Sequence, residues 1–240
     1  MKNFRKLRLT LVCLFVGAFA MVSCMKDTPI QFQGIGDVMI QDMKTNAGIK
    51  YSIFVYVTAN QEIQSAKVTA PGTNGKVYQL SATSAKEQFA YIPQASDYTS
   101  ELPVKGDYSF EVLSKAGDLL TGKDPVGDET LAPIVIKTAT VASQKLTVTW
   151  DVVPSAEAYV VKLYSADKSN VLFISNFLPA TDIQYDIDGA TQGWLNSKTP
   201  VVNTDYVIEL LGIRSETGAD SDKANNLQFI TTDSKTIKWQ

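Results

Sequence analysis

Beyond residue 24 the chain carries no convincing 3.6-residue apolar repeat; what recurs is a short run of Val, Ile, Tyr, Phe and Thr closed by Gly, Pro, Asn or Asp. That pattern excludes a helical bundle and predicts strands throughout. Tyr51 to Val57 is apolar on both faces, as a strand inside a packed sheet requires. Pro71-Gly72 and Asn74-Gly75 read as turns ahead of a strand from Lys76 to Leu80. Tyr108, Phe110 and Val112 alternate with Ser109 and Glu111, so three large side chains share one face. Lys115 to Asp118 then returns the chain as a hairpin into Leu119-Leu120.

Strands at this spacing predict an all-β fold of two tandem β-sandwich domains following a signal peptide. The first, residues 30–130, is expected to be immunoglobulin-like. The stretch from Thr121 to Thr130, TGKDPVGDET, holds two glycines, a proline and several charges, and predicts a solvated connection. The second domain, residues 131–240, opens at Ala132-Pro133.

In that second domain Leu146, Val148 and Trp150 fall on one face by period two, as do Tyr159, Val161 and Leu163, and Tyr206, Ile208 and Leu210. Three such faces close one core. The runs Leu146 to Trp150, Ala158 to Tyr164 and Thr204 to Leu210 resemble the second, third and sixth strands of a fibronectin type III domain. The resemblance places Trp150 in the core. Tyr206 is read either as a tyrosine corner, its hydroxyl bonded to backbone a few residues upstream, or as an ordinary core tyrosine.

The N-terminus is an address. Lys2, Arg5, Lys6 and Arg8 precede an apolar run from Leu9 to Val22, too short for the roughly 20 residues that cross a membrane and typical of a secretory signal peptide. Met21-Val22-Ser23-Cys24 resembles a bacterial lipobox. The resemblance implies a signal peptide over residues 1–23, lipidation of Cys24 with fatty acids such as palmitate, and a tether over residues 24–29. Lys26-Asp27 resembles the export signal of Bacteroidetes-type lipoproteins, which implies an outer-membrane protein facing outward; a periplasmic orientation is the other reading. Cleavage removes four of the 22 basic residues and leaves 18 against 25 acidic ones, a distinctly acidic mature chain with no electrostatic reason to bind nucleic acid.

Chemistry is scarce. With no histidine in the chain there is no Ser-His-Asp or Cys-His set, and the two cysteines are spent, Cys13 in the discarded segment and Cys24 on lipid. No catalytic residue, cofactor or metal site is assigned. Asp182, Asp186 and Asp188 are the densest acidic trio, but they are expected on the solvent face of a strand whose Ile183, Tyr185 and Ile187 turn the other way. Asp220 and Asp222, in the loop Ser215–Ala224, offer calcium-type ligands without the spacing of an EF-hand. Trp194, in the loop-like Gly193-Trp194-Leu195-Asn196, is read either as a plug at the bottom of the sandwich or as a face that stacks on a ligand such as a sugar.

The expected function is therefore a non-catalytic, lipid-anchored recognition or scaffold protein of the outer membrane. Its expected partners are a glycan or another outer-membrane protein, for example in a nutrient-uptake system. A structural subunit of a surface fimbria is the alternative.

Overall fold

The computed structural model describes residues 30–72, 74–195, 199–219 and 226–240, and the account below is of the compact body from Phe32 to Gln240. Residues 1–29, where a signal peptide, Cys24 and a tether are expected, lie outside the described residues. The body is all β, with a single 3-10 turn at Ala95–Asp97. In its first half come β1 (Gly34–Thr45), β2 (Gly48–Ala59), β3 (Ile63–Thr69), β4 (Val77–Ala82), β5 (Gln88–Tyr91), β6 (Gly106–Ser114) and β7 (Leu119–Val126). In its second come β8 (Ile136–Ala142), β9 (Lys145–Trp150), β10 (Ala158–Ser165), β11 (Val171–Ile174), β12 (Leu178–Pro179), β13 (Gln184–Ile187), β14 (Asp205–Ser215) and β15 (Leu227–Lys238).

The turn chemistry places the hairpins where the sequence puts them. Thr69 pairs with Val77 around the two glycine turns, and Leu113 pairs with Leu119 around Lys115 to Asp118. Tyr108, Phe110 and Val112 all point into the core. Tyr108 also donates its hydroxyl to the Val104 carbonyl four residues upstream at 2.9 Å, which fixes the entry into β6.

In the second half, β8, β9 and β13 form a three-stranded sheet. It faces the strands that pair as β11, β10, β14 and β15 in the larger sheet, giving the sandwich expected of two sheets with alternating inward residues. All nine residues of the three predicted faces are buried. Trp150 meets Tyr159 edge to face with ring centroids 5.4 Å apart, and the Tyr159 hydroxyl accepts the Val153 N–H at 2.8 Å. The Tyr206 hydroxyl accepts the Val201 N–H at 2.8 Å, so the tyrosine corner is formed.

Two elements differ from expectation. The predicted connection from Thr121 to Thr130 is strand as far as Val126, paired residue for residue with β6. Its proline is tolerated because β7 is the last strand of the sheet and Pro125 needs no ladder donor there. Ile183 is exposed and lies ahead of β13 rather than on its inner face.

A further difference is long-range. β1 pairs antiparallel with β2 along its whole length, yet it also runs parallel to β15, with Ile40 opposite Phe229 and Gln41 opposite Ile230. One sheet therefore passes from β11 through β15 and β1 to β7. A buried polar knot secures the junction. Asp42 accepts the Thr231 hydroxyl at 2.6 Å and the Thr232 N–H at 2.9 Å, and Thr231 Oγ1 in turn accepts the Ile134 N–H at 3.0 Å.

Candidate functional site

Both faces of β1 are covered. Val38 and Ile40 enter the main core, and Met39 enters a second apolar cluster with Val160, Leu211, Ile213 and Leu227. Asp37 lies on the Met39 side, opposite Tyr56 of β2, and is 0% exposed. β15 is described from Leu227, and among the described residues its ladder with β1 is Ile40 opposite Phe229 and Gln41 opposite Ile230, so the start of β1 lies ahead of it. Side chains take backbone donors there: Asp124 of β7 accepts the Val38 N–H at 2.7 Å, and Asp37 accepts the Leu227 N–H at 3.2 Å.

A third acid completes the group. Glu216 follows the last residue of β14, held by its own N–H on the Asn226 carbonyl at 3.0 Å. Asp37, Asp124 and Glu216 each offer a carboxylate oxygen, and these oxygens lie within 4.8 Å of one another. Asp124 lines a cavity of about 300 Å³, together with Gly34, Gly36, Phe110, Leu120 and Asn226 among others.

Burial pushes all three groups up, and the charge of Asp124 adds to it at Asp37 and Glu216. The Asp37 carboxyl is raised to about 8, first by burial and then by the Asp124 charge, against the Leu227 N–H and the Tyr56 hydroxyl. Glu216 is raised to about 7 by burial and by Asp124, to which it donates a hydrogen bond. Asp124 is raised to about 6 by burial, moderated by the Val38 N–H and Glu216. Among the described residues, Asp37 Oδ1 and Glu216 Oε1 are buried and meet no hydrogen-bond partner. Three carboxyls this close cannot all be ionised unless a cation joins them.

The residues singled out by sequence are placed elsewhere. Trp194 is half-buried in the connection between β13 and β14, edge to face with Phe173 at 5.1 Å and with Trp239 at 6.4 Å. Its indole N–H donates to the Asp188 carbonyl at 2.8 Å. Asp182, Asp186 and Asp188 do not converge. Asp186 takes Lys145 and Thr147, each at 2.8 Å, while Asp188 caps the Ala190–Thr191 turn. Asp220, Asp222 and Cys24 lie outside the described residues.

Sequence reading missed Asp37, Asp124 and Glu216. Asp37 and Glu216 are separated along the chain by almost its whole folded length, and Asp124 sits in the stretch taken for a solvated connection. The one local signal was an acid at position 37, inside an otherwise apolar run.

No family model matches the chain, and no curated protein matches it. Among solved structures it is similar to a two-domain fibronectin type III segment of chicken tenascin, at 10% identity and a TM-score of 0.30, over 86% of this chain and 99% of that one. The FN1–FN3 domains of chicken CNTN1 align at 12% identity and a TM-score of 0.32, over 85% of this chain and 65% of that one. A tetra-tandem repeat from the extending region of a large adhesion protein aligns at 15% identity and a TM-score of 0.26, over 86% of this chain and 50% of that one. At scores this low the likeness decides nothing about function.

Proposed function

We propose that the chain is a non-catalytic recognition or scaffold protein, held at the outer membrane by lipid on Cys24 and facing outward. The observation that carries this reading is the placement of Cys24, which ends a signal-type segment at Met21-Val22-Ser23-Cys24 and stands ten residues before the first strand at Gly34. A tether that short reaches no more than about 35 Å even fully extended. An all-β body on such a leash works at the membrane surface, where it holds a partner in place. The several acyl chains of a bacterial lipid-modified cysteine anchor durably, whereas one chain binds only reversibly. The finer proposal is glycan capture for nutrient uptake, with the exposed part of Trp194 as the stacking face.

Metabolic labelling with a fatty acid tests the anchor. The wild-type chain takes up label and fractionates with the outer membrane, and Cys24→Ala does neither; label retained by Cys24→Ala would overturn the reading. A glycan array tests the finer proposal. Binding weakened by Trp194→Ala with thermal unfolding unchanged supports it, and an array with no binding removes it.

A further inference from the structure

The three carboxyls, two buried and one half-buried, are surplus to the recognition role. Asp124 supports Val38 and Asp37 supports Leu227, but a single acceptor at each place would do that, and the trio drives its own members toward protonation. Two orphaned oxygens point to what is accommodated. Asp37 Oδ1 belongs to a side chain with no solvent exposure and meets no donor among the described residues, and Glu216 Oε1 is likewise buried without one. A proton on one carboxyl removes only one of the three charges, whereas a divalent cation takes an oxygen from each.

The nearby bases are engaged elsewhere. Lys123, which lines the same cavity as Asp124, pairs with Asp107 at 3.1 Å, and the Arg214 guanidinium donates to the Ser155 carbonyl at 3.1 Å. Among the described residues, no lysine or arginine is among the groups that shift the three carboxyls.

We propose that Asp37, Asp124 and Glu216 form a calcium site that ties the start of β1 to β7 and to the end of β14. Hard carboxylate oxygens are the ligands this ion takes, and the three lie within 4.8 Å of one another, close enough to reach one ion. Mg²⁺ keeps several of its waters and is bound by one or two carboxylates, so three protein carboxylates favour the larger ion. The cavity that Asp124 lines gives that ligand access to water. The ion joins β1, β7 and the residue that follows β14 through their side chains.

The test is calcium titration of the intact purified chain by calorimetry, beside thermal unfolding in calcium, in magnesium and in chelator. One calcium binds per chain, and calcium at about a hundred times its dissociation constant raises the melting temperature by roughly 5–10 °C. Asp124→Asn keeps an acceptor for the Val38 N–H but loses ligand charge, and Glu216→Gln does the same at its position; both abolish the calcium-dependent shift. Identical melting of the wild-type chain in calcium and in chelator overturns the proposal. So does calcium binding that survives Glu216→Gln undiminished, which would place the ion elsewhere, for instance at Asp220 and Asp222.

Discussion

Replacing Thr231 by Val removes one oxygen from a fully buried position and keeps the side-chain shape, so its cost reports the knot between β1 and β15 directly. Two interactions go. The Thr231 hydroxyl no longer donates to Asp42, a charge-assisted bond of 2.6 Å, and the Ile134 N–H loses its acceptor at 3.0 Å. The first loss costs about 1.5–3 kcal/mol and a buried donor left unpaired about 1–3 kcal/mol, so a total of about 3–5 kcal/mol is expected at neutral pH. The deficit depends on pH. Burial already holds the Asp42 carboxyl above its usual range, aided by the Asp233 charge and opposed by Thr231 and the Thr232 N–H. Removing Thr231 raises it further. A carboxyl raised on folding contributes stability that is fully present below its unfolded value of about 4 and is lost as pH rises through the folded value. The variant therefore loses more than the wild-type chain across that interval, and its deficit is larger at neutral pH than in mild acid. Equilibrium urea unfolding of both chains at two pH values measures this. A deficit under about 1 kcal/mol, or one equal at the two pH values, would refute the placement of Asp42 against Thr231.

Other substitutions probe the second half of the body. Trp150→Ala empties a site that is 2% exposed and should cost about 3–5 kcal/mol in urea unfolding. Trp150→Phe should cost clearly less, because it also removes an indole N–H that is buried without a partner; equal losses for the two variants would contradict that environment. Tyr206→Phe deprives the Val201 N–H of its acceptor and should cost about 1–2 kcal/mol, and no loss would show that the corner holds without its hydroxyl.

The faces of β9, β10 and β14 were legible because period two is a local signal: Leu146, Val148 and Trp150 announce a buried side whatever lies across from them. Tyr206 was legible for the same reason, since a corner tyrosine bonds only five residues away. β7 was not, because Gly122, Asp124 and Pro125 each argue for a loop when taken singly. On the last strand of a sheet the proline costs no bond, and Asp124 turns inward to meet the Val38 N–H. β1 hid its role in a different way. Its pairing with β15 closes over nearly the whole body, and acids at 37 and 42 weigh toward solvent in any reading of hydrophobic pattern. Buried acids are rare unless something compensates them, so positions such as Asp37 and Asp42 become informative only once their partners are in place.

Digestion of intact cells with added protease tests the central functional claim. An outward-facing, lipid-held body predicts that the chain disappears from intact cells while periplasmic proteins survive. Full protection until the outer membrane is broken would place the body inside and contradict the account.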